Sequence, residues 1–521
     1  MTGEARGLGR YLLGGALGDD AAAGLAALGA EVDQPVGGLD HVEVVLDHDH
    51  RVATVGQELL HVVEVQAGGG LVEDVQRRPG GAAGELEGKQ PQEGCGSAAP
   101  AEVAGTEKLL CHLQVQLEKR TNRLYLASVI ARAIASELKR SASESPVVTV
   151  LGPRQSGKTT AVRAVFPEHA YRNLEEPDTR ALATGDPRGF LAGTGSACVL
   201  DEIQRCPELL SYVQSEVDSK PGPGRFVLTG SHQPELHQAV SQSLAGRTAV
   251  LTLLPFAIDE LRGYRPAWSP WELITSGSFP RVHEERVRPD RFFNGYVQTY
   301  LERDVRALVN LRDLRRFQQF LTLLAGRVAQ IVSYTALSND VGVSSTTIKS
   351  WIAVLQASFV VFELPPYFEN VRKRVVRSPK LYFTDTGLAA YLLGIRTAEQ
   401  AERDPLRGAL YENLVVTELL KQRLNRGLRP DMYFFRDSHG NEVDVVLRDG
   451  RQLIPIEIKS AATFDATFLR GLASFRDTVG EPAATGAVLY NGDRELVFHG
   501  TRVLNPLRHE AFATLAAPES D

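Results

Sequence analysis

The spacing of apolar positions divides the chain into segments with different expected structures. Arg123 to Lys139 places Leu126, Ile130, Ile134 and Leu138 on one helical face. Val147 to Leu151 is an unbroken apolar run followed at once by a glycine-bearing loop, and it predicts a buried strand with a helix from Thr160 to Val165 beyond the loop. Further strands are predicted at Ala197 to Leu200, Arg225 to Thr229 and Val250 to Leu254, and helices at Trp271 to Ser276 and Asp290 to Val309. Leu337 to Val341 predicts a short helix, Gly342-Val343 a turn and Ser344 or Ser345 an N-cap. A second helix then carries Ile348, Trp351, Ile352 and Leu355 on one face. Leu410 to Asn425 reads as a helix, followed by strands at Met432 to Arg436, Glu442 to Leu447 and Leu453 to Ile458.

The first 120 residues behave differently. Tyr11 is their one aromatic residue, against 36 in the remainder, so few large side chains are available for a core. They carry 9 Lys/Arg and 19 Asp/Glu, while the rest carries 48 and 45. The net charge of −7 is therefore a −10 segment attached to a +3 body, whose mild basicity permits nucleic-acid binding without arguing for it. Alternating stretches such as Val42-Glu43-Val44-Val45 lack the partners a sheet would need. A flexible acidic extension and a start codon assigned too early both explain residues 1–120, and the second is preferred. The cluster Asp47, His48, Asp49 and His50 reads as a polar loop rather than a metal site.

Composition bounds the rest. A length of 521 residues predicts two to four domains. No stretch of 18 apolar residues occurs, so no membrane partner is expected. Cys95, Cys111, Cys198 and Cys206 fit no zinc or disulfide spacing and read as reduced thiols of a cytoplasmic protein.

The chemistry concentrates at Gly152-Pro153-Arg154-Gln155-Ser156-Gly157-Lys158-Thr159, with Thr160 continuing into the helix. Strand, G-x-x-x-x-G-K-T and helix form a phosphate-binding loop: the glycines let backbone N–H groups approach, and the helix N-terminus favours negative charge. Lys158 would place a cation on the β- and γ-phosphates of ATP, and the Thr159 hydroxyl would bind Mg²⁺. The strand ending at Asp201-Glu202 supplies two carboxylates, Asp201 for Mg²⁺ through water and Glu202 to activate the attacking water. Ser231 or Thr229 would sense the γ-phosphate, against a plain turn. Arg247 would stabilise transition-state charge in cis or in a neighbouring subunit, against a surface arginine.

The ordered runs VLGPRQSGKTT, RNLEEPD, LDEIQRCPELL, FVLTGSHQ and LAGRTAVLTLLPF, then GSFPRV, YLERDVR and KLYFTDTGL, resemble the AAA-type P-loop ATPases of bacteria and archaea that carry a C-terminal domain of unknown function. Ser278 departs from the second glycine usual there. The resemblance implies an α/β fold with a doubly wound P-loop sheet over 121–265. A helical and winged-helix-like segment over 266–395 would follow, then a small restriction-nuclease-like α/β domain over 396–521.

Two further sites are expected on the residues themselves. Residues 335–356 have helix-turn-helix spacing, with Thr346, Thr347 and Lys349 outward and Arg372, Lys373, Arg374 and Arg377 in a following hairpin. DNA contact and mere packing both fit. In the C-terminal part, Asp444 with Glu457-x-Lys459, and Glu412 on the preceding helix, form the pattern of a Mg²⁺-dependent nuclease acting on DNA or RNA. E-x-K on a strand puts both side chains on one face. An inactive module is the alternative. Arg303, Asp304 and Arg306 read as a solvated face, an intersubunit contact in a homo-oligomer, or a nucleotide sensor.

Overall fold

The computed structural model describes residues 130–508 apart from 232–239, 241, 266, 302–312 and 368–377, together with 511, 512, 515 and the backbone of three strands nearer the N-terminus. The Asp47–His50 cluster, Cys95, Cys111, residues 123–129, Arg303, Asp304, Arg306 and the basic run from Arg372 to Arg377 lie outside the described residues. The chain divides into two compact units, Met1–Pro100 and Ala101–Asp521.

In the first unit, β1 (Gly9–Gly14), β2 (His41–Leu46) and β3 (Val52–Val55) form an antiparallel sheet in the order β1-β2-β3. The stretch Val42 to Val45 therefore has strand partners, contrary to expectation. They come from two short runs, one about thirty residues away, and neither announces itself as a strand.

The second unit begins with an all-parallel sheet in the order β5-β6-β7-β4-β8. Its strands are β4 (Val147–Gly152), β5 (Ala170–Asn173), β6 (Cys198–Asp201), β7 (Phe226–Ser231) and β8 (Thr248–Thr252). The helices that join and flank them are α1 (Ala135–Glu144), α2 (Lys158–Val165), α3 (Pro177–Gly185), α4 (Pro187–Ala192) and α5 (Leu209–Ser219). Helices cover both faces, which is why the inner strands read as continuous apolar runs. Val147, Leu151, Leu200 and Leu228 bury against α5 on one side, and Val148, Val150, Val199 and Val227 against α1 and α2 on the other. α1 begins at Ala135, and residues 130–134 interrupt the predicted helix. The amides just before it are held by carboxylates instead of by a helical turn: Ile130 N–H donates to Glu284 at 2.9 Å and Ala133 N–H to Glu260 at 2.6 Å.

A helical and antiparallel middle region follows. It contains α6 (Ile258–Arg262), α7 (Pro270–Ser276), α8 (Pro289–Tyr296) and α9 (Leu314–Ala325), then β9 (Gln330–Ile331), α10 (Tyr334–Val341), α11 (Ser345–Ala357), β10 (Val361–Leu364), β11 (Lys380–Phe383) and α12 (Thr386–Leu392). Gly342 ends α10 with φ 74°, a conformation that favours glycine, and Ser344 caps α11 by accepting from the Thr347 N–H at 3.1 Å. The three strands pair antiparallel in the order β10-β11-β9.

The two family-like runs GSFPRV and KLYFTDTGL meet here. Asp385 caps α12 and accepts from Ser278 N at 2.7 Å and Ser278 Oγ at 2.8 Å. Gly277 and Gly387 pack so closely that a side chain on Gly387 would collide with the Gly277 backbone. Ser278, where a second glycine is usual, is accommodated because its hydroxyl also accepts from Lys421 Nζ at 3.0 Å.

The C-terminal part opens with the long α13 (Arg407–Asn425). A mixed sheet follows in the order β12-β13-β14-β15-β17-β16, with α14 (Arg470–Val479) on the face away from α13. Its strands are β12 (Met432–Arg436), β13 (Glu442–Asp449), β14 (Gln452–Lys459), β15 (Ala487–Tyr490), β16 (Leu496–Phe498) and β17 (Thr501–Leu504). One hydrophobic core runs from Leu254 to Leu515, so the middle and C-terminal parts share an interior. No described helix is long and apolar enough to cross a membrane.

Candidate functional site

The loop after β4 is shaped by its glycines and by one buried arginine. Gly152 lies against the Leu253 carbonyl, with no room for a side chain, and Gly157 has φ 84° at the mouth of α2. Gln155 is also left-handed, at φ 61°. Arg132, which the sequence did not single out, anchors the loop from behind. Its guanidinium donates to the Ser156 carbonyl and the Leu254 carbonyl, both at 2.7 Å, and pairs with Glu260 at 3.0 Å. Both members of that pair are almost wholly buried.

Lys158 heads α2 and is buried. Its ammonium donates to the carbonyls of Pro153 at 2.8 Å and Gly152 at 3.2 Å. Burial pulls its pKa down to about 8 against the opposing attraction of Glu202 and Asp201, with Arg154 adding to the fall. Next to it, Thr159 Oγ1 donates to both oxygens of Asp201 at 2.9 and 3.0 Å. Asp201, at the end of β6, also accepts from Tyr171 at 2.7 Å and from the Thr229 hydroxyl. Three hydroxyls thus converge on one carboxylate. Tyr171 is a second residue that sequence reasoning missed: it stands on edge strand β5, where its spacing carries no phosphate-site signature. Burial, then Asp201, raises its hydroxyl pKa above the usual tyrosine range.

Glu202 follows in a left-handed conformation, φ 57° and ψ 46°, which is costly for a non-glycine residue. The Gln204 side-chain amide holds its carboxylate. Ser231 ends β7 in register with Gly152, and its buried Oγ has no hydrogen-bond partner. Thr229, the alternative sensor, is engaged with Asp201. Ser156 Oγ in the loop is likewise buried without a partner. Donors left unsatisfied beside a glycine loop, and hard oxygen ligands at Thr159 and Asp201, fit a phosphate with Mg²⁺.

Arg247 is a correction. It precedes β8, and its carbonyl accepts from Val147 N, the first residue of β4. The loop leaves β4 at the other end, about 17 Å away at strand rise. Arg247 instead pairs with Asp218 at 2.6 Å on the surface, and no cis contact with a γ-phosphate is open to it. The reason is polarity: all five strands run the same way, so a residue entering one strand cannot reach a loop leaving its neighbour.

The structure brings Glu412, Asp444, Glu457 and Lys459 into one cluster, with additions. β13 carries one residue more than β12 between Val443 and Val446, and this bulge aims Asp444. Asp444 Oδ2 accepts from Ile458 N at 2.8 Å and lies 3.9 Å from Lys459 Nζ, which also contacts Glu457. Lys380 on β11 reaches Glu412 at 2.9 Å, Glu442 at 2.5 Å and Asp444 at 3.7 Å. Tyr382, two residues on and on the same strand face, donates to Glu412 at 2.6 Å. Burial and then Asp444 push Glu412 up to about 7 and Glu457 up to about 8. Lys380, Tyr382 and Glu442 were missed. The first two lie inside KLYFTDTGL, where the K-x-Y alternation was the available signal. Among the described residues no three His, Cys, Asp or Glu side chains are arranged to hold a metal, so the expected grouping of Glu412, Asp444 and Glu457 around one ion is not present.

Comparison with known proteins follows this division of the chain. A family model described as an AAA domain matches residues 144–262, and models of two domains of unknown function, DUF8612 and DUF4143, match 269–399 and 407–509. The uncharacterized protein Rv2008c of Mycobacterium tuberculosis is 31% identical over 397 residues, covering 75% of this chain and 87% of that protein. An uncharacterized protein of Haemophilus influenzae is 22% identical over 247 residues, 45% of this chain and 58% of that one. Among solved structures, the Walker-type ATPase PABY2304 of Pyrococcus abyssi aligns over 50% of this chain and 94% of its own, with 17% identity and a TM-score of 0.31. The chain belongs to the family of Rv2008c, with an AAA domain followed by two domains of unknown function.

Proposed function

We propose that the protein is a Mg²⁺-dependent ATPase whose hydrolytic site lies between the loop Gly152–Thr159 and the carboxylates Asp201 and Glu202. The observation that carries this is Asp201, which receives the hydroxyls of Thr159, Thr229 and Tyr171 beside the buried ammonium of Lys158. Thr159 and Asp201 would hold Mg²⁺, which supplies neutralisation of charge on the β- and γ-phosphates. Lys158 exchanges its two carbonyl partners for phosphate oxygens. The backbone N–H groups of Gly152 and of Arg154 to Thr160, with the N-terminus of α2, bind the phosphate chain. Glu202, aimed by its left-handed backbone and by Gln204, takes the proton of the attacking water. Ser231 donates its free hydroxyl to the γ-phosphate.

The test is ATP binding and turnover by the full chain and its Lys158→Ala and Glu202→Gln forms. Lys158→Ala is expected to lose binding. Turnover in Glu202→Gln equal to the unaltered chain would remove the assignment of the base.

The output of the ATPase is a nucleic-acid or partner contact made by the middle region. The order α9-β9-α10-α11-β10-β11, with its sheet β9-β11-β10, supports reading this region as a winged helix. Lys349, exposed on α11, and the basic run from Arg372 to Arg377 would face phosphates. The C-terminal part has the E-x-K strand pattern of a restriction-nuclease-like domain, and the lysine among its carboxylates favours a binding module over a cutting one. Domain limits near 265 and 395 suit this division of labour, and Arg247 is left for a trans contact in a homo-oligomer.

A further inference from the structure

We infer that Lys380 takes the place of a divalent cation in the C-terminal carboxylate cluster, so that this site is closed to metal while Lys380 remains seated. The inference is independent of the ATPase proposal and concerns the other end of the molecule.

The side chains alternate in charge. Glu412 touches Lys380, Lys380 approaches Asp444, Asp444 approaches Lys459, and Lys459 touches Glu457. Glu442 adds a fourth carboxylate to the cluster and is the third on Lys380, at 2.5 Å. A metal shared by Glu412 and Asp444 needs the space between them, and the Lys380 ammonium stands there with contacts to both. Its side chain is 5% exposed, so this is a buried ion and not a surface lysine resting on acidic neighbours. Tyr382 takes a further Glu412 contact, which leaves that carboxylate with less capacity for another cation.

A second observation shows what the arrangement leaves open. Glu457 Oε2 is buried and has no hydrogen-bond partner, while its other oxygen is held by Lys459. One carboxylate oxygen is therefore unmatched: two ammonium groups do not fully satisfy four carboxylates. The cluster could accept a small divalent cation if one ammonium were removed, and Lys380 is the one to remove because it contacts three of the four acids.

Lys380 does not belong to the domain whose acids it occupies. It begins β11, the central strand of the middle region's sheet. Lys380 is thus a tethered cation delivered from the neighbouring region.

The experiment titrates Mn²⁺ into the nucleotide-free full chain and reads free Mn²⁺ by electron paramagnetic resonance. The unaltered chain is expected to bind none at this cluster. Lys380→Met is expected to bind one ion at least tenfold more tightly than the unaltered chain, and the gain should vanish in Lys380→Met/Asp444→Asn. Lys380→Arg keeps a cation in place and should gain nothing. If Lys380→Met does not fold, the unaltered chain still decides: one Mn²⁺ bound without nucleotide and lost in Asp444→Asn overturns the inference. A folded Lys380→Met with no gain in affinity overturns it equally.

Discussion

Lys158 shows how burial can make a charge conditional. Its ammonium is held only by carbonyls, and its pKa falls to about 8 with burial as the largest cause. A lowered lysine pKa means that the free protein sheds this proton near pH 8, whereas an unfolded chain would keep it to about 10.4. Phosphate favours the charged form. ATP affinity is therefore expected to weaken as pH rises through about 8, with proton uptake on binding above that pH. Calorimetry in buffers of different ionisation enthalpy reads the uptake, and a pH-independent affinity between 7 and 9.5 would contradict it. Tyr171 is expected to position Asp201 without touching substrate. Tyr171→Phe should raise the Mg²⁺ concentration needed for half-maximal turnover severalfold while ATP-independent stability changes little; an unchanged Mg²⁺ dependence would show the hydroxyl to be merely structural. Lys158, Thr159, Asp201 and Glu202 were legible in the sequence because strand, loop and helix are contiguous and the second strand ends in its own acidic pair. Tyr171 and Arg132 were not, because each reaches its partner across tens to more than a hundred residues and carries no local pattern; for Lys380 the K-x-Y alternation with Tyr382 was the only local signal, and its partners lie 32 or more residues away.

At the scale of elements, turn and cap chemistry proved the most readable part. Ser344 or Ser345 was expected as an N-cap and Ser344 is one, with Gly342 in the left-handed position before it. Ser344→Ala is expected to cost about 1 kcal/mol in a denaturant melt; a loss under about 0.3 kcal/mol would mean that the cap is redundant with packing of Ile348 and Trp351. The interruption at residues 130–134 was not legible, because apolar spacing continues through Ile130 while the backbone there is claimed by Glu260 and Glu284. Arg132 belongs to that same pre-helical turn. Removing it in Arg132→Met strands buried Glu260, which would cost about 3–5 kcal/mol and loosen the loop through Ser156. Thermal melts with and without ATP should show both a lower midpoint and a smaller shift on adding nucleotide. A normal nucleotide shift in the variant would separate Arg132 from the phosphate site. The β13 bulge at Asp444 was not readable, since an extra residue in a strand looks the same as any other in sequence.

At the scale of the whole molecule, buried polar contacts join the parallel sheet to the C-terminal part. Glu418 on α13 accepts from Ile258 N at 3.0 Å, and Lys421 donates to the Phe256 carbonyl at 2.7 Å. Ile258 opens α6, the helix whose Glu260 pairs with Arg132 behind the loop. The order of regions was legible from the sequence, but this joint was not: its members are ordinary helix residues until α13 packs against the end of β8. The joint gives the loop and α13 a common support, and Glu412 lies on that same helix. The phosphate loop and the C-terminal cluster share no residue, so the central claim can be tested at the loop alone. The most direct measurement is ATP turnover with Mg²⁺ by the full chain, run beside Glu202→Gln with ATP binding measured in both. The expected result is equal binding and a fall in turnover of about 10²–10⁴-fold, the contribution of a general base. Undiminished turnover in Glu202→Gln, or no ATP binding by the unaltered chain, would contradict the account.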